Sequence, residues 1–331
     1  MKLVIGASGF LGSHVTRELV ARGHQVRVML RPTSPTRGID DLSVERVYGD
    51  LFDTEALRTA MAGCDVVFHC AVDTRAWLRD PAPLFRTNVE GLRNVLDVAA
   101  DADLQRFVFT SSLGTVGRGR GGPATEDTPH DWLHLAGAYI RSRVEAEDLV
   151  LARVREQGLP AVVMCVANTY GPGDWVPTPH GALVSAAARG RLPAYFKGTG
   201  SEIVDVRDAA MALVLAAEKG RVGERYIVSE RFMTTQEMYA VAAEAGGSAP
   251  PRIGIPLGVL ALAGRLGDLA ARLRKKDYQL TSTSVRLMHL MSPMDHGKAE
   301  RELGWQPRPA PDAIRDAARF FAENRPSRTQ A

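Results

Sequence analysis

Tyr139 and Arg143 lie four residues apart in Tyr139-Ile140-Arg141-Ser142-Arg143, a stretch that continues as a helical pattern through Leu149. Residues i and i+4 share one helix face, so the phenol and the guanidinium can point into one site. A phenol with its ordinary pKa of about 10 is a poor acid–base at pH 7. An adjacent cation lowers that value by stabilising the phenolate. A nearby hydroxyl can then hold a carbonyl oxygen while the tyrosine gives or takes its proton. Thr110-Ser111-Ser112, at the end of an apolar run, offers that hydroxyl in Ser112. A second constellation opens the chain: Gly6-Ala7-Ser8-Gly9-Phe10-Leu11-Gly12 follows a short apolar strand and begins a helix. Glycines so placed permit a tight turn and let the backbone approach a pyrophosphate resting on the helix N-terminus, with Ser8, Phe10 and Leu11 in the same turn.

These residues must be brought together by the ends of strands. Leu3–Ile5, Gln25–Leu30, Val44–Tyr48, Val66–Cys70, Phe107–Thr110 and Ala161–Val166 are short, apolar and rich in β-branched residues, as strands buried on both faces are. Helical periodicity separates them, with Leu11, Val15, Leu19 and Val20 on one face and Leu84, Val89, Leu92, Val95 and Leu96 on another. Such alternation predicts an α/β fold, a doubly wound parallel Rossmann sheet with right-handed crossovers. After Tyr170 the pattern changes to a Gly/Pro loop, a strand at Ile203–Val206, a helix at Asp208–Lys219, and then mostly helix (Thr235–Ala245, Leu257–Arg274, Val285–Met291, Asp312–Asn324). The expected division is a dinucleotide-binding domain at 1–169, with 203–228 returning to it, and a smaller, mostly helical substrate domain at 170–202 and 229–325. Residues 326–331 read as a frayed tail.

In a doubly wound sheet the ligand lies across the carboxyl ends of the strands. That rule adds Cys70, Ala71 and Val72, Thr110, and Ala167 and Thr169 to the expected cofactor contacts, and Asp50 and Leu51 beside the adenine. An acid at the end of the second strand would bind the ribose 2′-hydroxyl of NAD, whereas an arginine accommodates the 2′-phosphate of NADP. Arg31 stands there, so NADP is expected; a solvated loop cation is the alternative. His69 reads as a satisfied histidine beside the cofactor. Asp205 and Asp208, which flank Val206-Arg207, read equally as a helix cap by Asp208 with an ion pair to Arg207 or as substrate contacts. Gly117–Gly122 reads as a mobile loop.

Composition bounds the rest. The 331 residues suggest about two domains. With 45% hydrophobic and 24% charged residues, the chain is globular rather than disordered. A formal charge of +3 does not point to nucleic acid. Three scattered cysteines (Cys64, Cys70, Cys165) exclude a disulfide framework and fit a reducing cytoplasm. No metal site, signal segment or spanning helix is read from the sequence. Leu257, Leu260, Leu262, Leu266, Leu269 and Leu273 form a broad apolar face, readable as a cover for an apolar substrate, as core packing, or as a membrane-surface contact with Arg272, Arg274, Lys275 and Lys276 on headgroups.

Taken together, Gly6, Gly9 and Gly12, Asp50-Leu51, Asn88, Ser112 and a tyrosine heading a helix resemble the extended short-chain dehydrogenase/reductases, which include the NAD-dependent epimerases and dehydratases. Val28–Ser34, Thr87–Gly91, Phe107–Val116, Pro177–Tyr195 and Ala299–Pro307 are most similar to the dihydroflavonol reductase-like and hopanoid-associated sugar epimerase-like branches. The resemblance implies Ser112 as the catalytic hydroxyl, Tyr139 as the acid–base and Asn88 as the residue whose backbone supports a water relay. Two positions depart from the family pattern. Arg143 replaces the lysine of Y-x-x-x-K, and Ala167-Asn168-Thr169 replaces a proline segment near the nicotinamide. The expected activity is NADP-dependent reduction of a ketone or aldehyde, or oxidation of the alcohol. The alternatives are a nucleotide-sugar epimerase or dehydratase with a retained cofactor, and a non-catalytic dinucleotide sensor. The resemblance also implies a possible homodimer through Leu84–Ala100 and Tyr139–Arg155.

Overall fold

Apolar β-branched runs with no polar face need a layer of helices on each side. The computed structural model, which describes residues 1–324, supplies both layers. In chain order the first part runs β1 (Lys2–Ile5), α1 (Phe10–Ala21), β2 (Val26–Leu30), β3 (Glu45–Tyr48), α2 (Thr54–Met61), β4 (Val66–His69), α3 (Ala82–Phe85), a π-helical turn at Arg86–Gly91, α4 (Leu92–Ala100), β5 (Arg106–Ser112), α5 (Ala138–Gln157) and β6 (Ala161–Val166). The chain continues through β7 (Asn168–Tyr170), α6 (Pro179–Ala188), β8 (Ala194–Phe196), β9 (Gly200–Asp205), α7 (Val206–Lys219), β10 (Arg225–Val228), β11 (Arg231–Thr234), α8 (Thr235–Ala245), β12 (Ile253–Ile255), α9 (Leu257–Arg274), α10 (Ser282–Leu290), α11 (Gly297–Leu303) and α12 (Ala310–Glu323).

Seven strands form one parallel sheet in the order β10-β6-β5-β4-β1-β2-β3. Every residue of β4 and β6 is buried, as central strands between two helical layers require. The register decides what the sheet can do. Ile5 pairs with Met29 on one side and His69 on the other, Leu30 with Tyr48, His69 with Phe109, and Ser112 with Val166. Gly6, Arg31, Asp50, Cys70, Thr110–Ser112 and Ala167 therefore emerge along one rim, although as many as 161 positions separate them in sequence.

The sheet and its helices enclose the larger core. A second core joins Tyr170, Val184, Ile203, Met233, Tyr239, Ile314 and Phe321, where α6, α8 and α12 back a small sheet of order β11-β9-β7. Here the expected return of the chain at 203 is corrected. Ile203 and its neighbours pair with β7 and β11, not with the main sheet, and the return begins with α7 and β10. The reason is that β9 turns its strand edge to β7, which has already left the main sheet. The tail 326–331 lies outside the described residues.

Asp205 is the cap of α7, accepting from the Arg207 amide, and it also binds the Arg207 guanidinium, which reaches Asp316 on α12 at 2.5 Å. Asp208 instead accepts from the amide and Nε of Arg308 at 2.8 and 3.1 Å. Both acids are buried and tie the C-terminal segment to the head of α7; the expected cap by Asp208 with an ion pair to Arg207 is corrected, because the helix begins at Val206, which makes Asp205 the cap and the partner of Arg207 and leaves Asp208 to Arg308. Gly117–Gly122 is pinned rather than loose. Arg118 and Arg120 share Asp131, and the Gly119 amide donates to Ser292 Oγ at 3.1 Å.

Candidate active site

The glycine loop separates two demands. Gly6 has φ +89°, and a Cβ there would come within 2.6 Å of the Ala71 amide nitrogen. A Cβ on Gly12 would collide with the Gly6 carbonyl oxygen. Both glycines are required by the chain's own packing. Gly9 is not: it is exposed, and a Cβ on it would approach only the Gly6 oxygen, at 3.3 Å. It caps α1 without a side chain, so the first-turn amides of that helix stay open to an anion. A Cβ at Gly9 would fill that space. The loop thus fits a dinucleotide pyrophosphate, and the fit is independent of what the fold needs.

Around it the rim residues connect. The Cys70 amide donates to the Ile5 carbonyl at 2.8 Å, and Thr110 Oγ1 donates to Cys70 Sγ at 3.4 Å. Burial pushes the Cys70 thiol up to about 11, so it is neutral at pH 7. Arg31 follows β2, is exposed, and its guanidinium has no hydrogen-bond partner among the described residues. Asp73, which sequence reading did not single out, lies within electrostatic reach of Arg31. Burial would raise its pKa, but hydrogen bonds from Arg75 and the charges of Arg75 and Arg31 hold it below the usual carboxylate range. Asp50 accepts from the Phe52 amide at 3.1 Å, and Arg86 lies over the Phe52 ring. Leu51 packs against Gly91 of the π-turn.

Arg143 is 2% exposed. Its Nη2 donates to the Thr110 carbonyl at 2.5 Å, and the guanidinium lies 5.1 Å from the centre of the Phe109 ring. It does not join the solvated face of α5. Burial lowers its pKa, and the fields of Tyr139 and Glu147 oppose that shift. Tyr139 sits in the first turn of α5, half-buried, beside Trp132, Ala136, Ile140 and Leu290. Ser112 Oγ accepts from the Gly114 amide at 3.1 Å. Gly114 lets this turn press on Ile140, which brings Ser112 alongside the head of α5.

Asn88 is a latch. It is buried in the π-turn, accepts from the Asp73 amide at 2.8 Å, and donates to the Asp73 carbonyl and to Ser142 Oγ, both at 3.0 Å. Ser142 in turn donates to the Tyr139 carbonyl at 2.7 Å. One amide side chain thereby fixes the loop after β4 to the first turn of α5. Ala167 and Thr169 follow β6; the Ala167 amide donates to Val228 and the Thr169 carbonyl bonds His180. Behind the site a buried network also escaped sequence reading. Glu147 accepts from Ser111 Oγ and from Thr115 Oγ1 at 2.8 Å, and lies 2.7 Å from Arg225 Nε. No local signal marks it, because its members come from α5, β5, the following turn and β10.

His69 is buried, its ring lies parallel to those of Phe107 and Phe109 on the neighbouring strand, and it is within backbone hydrogen-bonding reach of Ala71, as expected; its Nδ1 has no partner, so the expectation of a fully satisfied histidine is corrected. Burial first, then the charge of Arg143, pushes its pKa from 6.5 down to about 3. The folded state therefore takes up this proton later than the unfolded state does. The stability it contributes is complete above about pH 6.5 and is lost as pH falls toward 3. Urea unfolding at pH 6.5 and 4.5 should show wild type losing on the order of 2 kcal/mol more than His69→Phe. Equal losses in the two proteins would contradict the assignment. His130 and His134 are four residues apart but not on a helix, and His130 bonds the Gly114 carbonyl.

Residues 2–229 match the NAD dependent epimerase/dehydratase family. Over 99% of this chain and 96% of the relative, the sequence is 31% identical to a putative dihydroflavonol 4-reductase of Synechocystis sp.. It is 33% identical to sterol demethylase protein B of Methylococcus capsulatus, over 97% of this chain and 98% of the relative. Among solved structures, that of gox2253 is similar with a TM-score of 0.86 and 36% identity, covering 98% of each chain. The match over two-thirds of the sequence, together with relatives spanning nearly all of it, places the chain in the NAD-dependent epimerase/dehydratase family of extended short-chain dehydrogenase/reductases, which binds a nicotinamide dinucleotide.

Proposed function

We propose that this protein is an NADP-dependent oxidoreductase that interconverts a carbonyl and its alcohol, with Tyr139 as the acid–base. The observation that carries the reading is Arg143: a buried cation, one helical turn from Tyr139, anchored on the strand edge that ends in Ser112. When bound, the dinucleotide supplies hydride chemistry. Ser112 orients the carbonyl oxygen, and Tyr139 passes its proton to that oxygen. Arg143 stabilises the phenolate left behind. Asn88 keeps Tyr139 in place through Ser142 and the α5 turn, a part played by its side chain. The glycine loop and the head of α1 would hold the pyrophosphate, Asp50 and Leu51 the adenine, and Cys70–Val72, Ala167 and Thr169 the nicotinamide half.

An apolar substrate fits the surroundings of Tyr139, where Trp132, Ile140, Leu287, Leu290 and Met291 gather. The two relatives are named for a dihydroflavonol and a sterol. Of the three readings of the α9 leucines, core packing is corrected for four of them. Leu262, Leu266, Leu269 and Leu273 face outward, because the opposite side of the helix packs on α10. Apolar ketones and nucleotide sugars, each supplied with NADPH, separate the readings. Stoichiometric formation of NADP⁺ with the ketones supports the proposal. Turnover of nucleotide sugars alone, without net cofactor oxidation, overturns it.

Arg31 predicts the cofactor. A charge-assisted bond to the 2′-phosphate contributes about 1.5–3 kcal/mol, or roughly 10- to 150-fold in affinity. The nearby Asp73 carboxylate is already engaged by Arg75, with Oδ2 at 2.5 Å, which limits its repulsion of a phosphate. Dissociation constants measured by fluorescence should favour NADPH over NADH, and Arg31→Ala should remove most of the preference. Equal affinities in the wild-type protein would refute it.

A further inference from the structure

The outer face of α9 carries an apolar line that the fold leaves uncovered. Val259, Leu262, Leu266, Leu269 and Leu273 recur at alternating intervals of three and four, which places them on one stripe of a helix. They are 57, 58, 58, 52 and 75% exposed. Leu260, Gly264 and Ala271 point the other way and are buried; a Cβ on Gly264 would press on the backbone at Thr281 and Ser282, where α10 begins. Single exposed leucines are ordinary, but five large apolar side chains in a row form a patch.

On the outward side of α9 the charge has one sign, and the exposed Asp277 that follows Lys276 is engaged by the Arg79 amide. At 100° per residue, Arg265 and Arg272 fall on one flank of the stripe and Arg274 on the other, while Lys275 and Lys276 close its C-terminal end. All five are exposed. Asp268, the one acid of α9, lies toward the inner side, where it accepts from the Ser282 amide at 3.3 Å.

We propose that this face is a docking surface for an anionic phospholipid bilayer, with α9 lying in the plane of the interface. Leucines between flanking cations, with no acid on the outward side, complement acyl chains beneath headgroup phosphates. Among the described residues no helix is long and apolar enough to cross a membrane, so the contact is with its surface. A second copy of the chain complements the face poorly. Packing stripe on stripe sets Arg265, Arg272 and Arg274 near their own images with no acid to offset them. The proposal does not rest on the reaction assigned above. It does place the bilayer one helix away from Tyr139, since α10 carries Leu287 and Leu290 into the apolar cluster around that residue.

The test is cosedimentation of the full-length protein with phosphatidylcholine vesicles, with and without phosphatidylglycerol, at low and high salt. Binding is expected to the anionic vesicles, weakened by salt, and to be slight on phosphatidylcholine alone. Leu266→Glu/Leu269→Glu should abolish it, and Arg265→Gln/Arg272→Gln should weaken it about fivefold per charge removed. Circular dichroism and NADPH affinity of each variant, compared with wild type, show whether the fold is retained; the arginine variant, altered only at exposed positions, keeps the test decisive should the glutamate variant misfold. Absence of binding at every composition overturns the proposal. So does binding that the arginine variant leaves unchanged. Light scattering that shows a dimer dissolved by the leucine substitutions, with no vesicle binding by wild type, assigns the face to a second copy instead.

Discussion

Tyr139→Phe should lower kcat by about 10²- to 10⁴-fold on any substrate the wild type reduces, and should leave the NADPH dissociation constant within about twofold. The phenyl ring keeps its place among Trp132, Ile140 and Leu290, so the variant loses a proton donor and no packing. Bringing a phenol from about 10 to about 7 takes roughly 4 kcal/mol of differential stabilisation. Arg143 supplies a charge that persists at every relevant pH, and its burial spares that charge from solvent screening. Arg143→Met should therefore lose turnover and move the basic limb of the kcat profile upward in pH. Arg143→Lys keeps the charge and should keep turnover within about tenfold of the wild type. The guanidinium fork matters through its bond to Thr110 and its place over Phe109, so the lysine variant should also be somewhat less stable. A confirmed substrate turned over by Arg143→Met at the wild-type rate would remove the arginine from the mechanism.

Arg225→Met should cost about 3–5 kcal/mol of folding stability, measured by urea unfolding at pH 7. Arg225 reaches Glu147 with Nε, the Glu126 carbonyl with Nη1 at 2.7 Å and the Thr115 carbonyl with Nη2 at 3.1 Å. Without it, the Glu147 carboxyl inside the protein keeps only neutral donors, the hydroxyls of Ser111 and Thr115 and the Cys165 thiol. Glu147→Gln/Arg225→Met removes both charges and should recover much of the loss, since a buried pair stabilises far less than a broken one destabilises. If the double variant is as unstable as the single one, packing rather than charge holds these elements together. The position carries weight for the site as well. Glu147 acts on Arg143 electrostatically and its partners Ser111 and Thr115 flank Ser112, so the network buttresses both candidate catalytic positions from behind.

What could be read from the sequence was whatever repeats or clusters locally. The glycine loop, the strand endings and the Tyr139–Arg143 pair are each defined within a few residues, and the parallel register then aligns them on one rim. Asn88 could be matched to a motif, but its partners Asp73 and Ser142 lie 15 and 54 residues away, and nothing local announces them. A longer separation hides Glu147 from Arg225. β7, β8, β11 and β12 are three or four residues long, too short for alternation to register. Periodicity in α9 showed that one face is apolar but not which way it turns. The direction is set by Gly264 and Ala271, whose small size lets α10 approach on their side. Asp205 and Asp208 differ only in whether the chain has entered the helix, a boundary that sequence places within a few residues at best.

The ionic ties at the head of α7 bear on how a bound nucleotide leaves. Separating the two cores there would strip Arg207 of Asp316, and Asp205 and Asp208 of Arg308, where neither Asp205 nor Asp208 meets solvent. Opening by a hinge between the cores is thus a high-energy excursion. The segment 72–81, which borders the rim and has no buried residue, is the cheaper gate. Asn88 holds one end through Asp73, and the Arg79 amide holds the other by donating to Asp277 at 2.9 Å, so lifting the loop breaks a few exposed hydrogen bonds and no buried ion pair. If release limits turnover, the rate is that of a short loop moving in microseconds to milliseconds, and substitutions in that loop tune kcat without touching the chemistry.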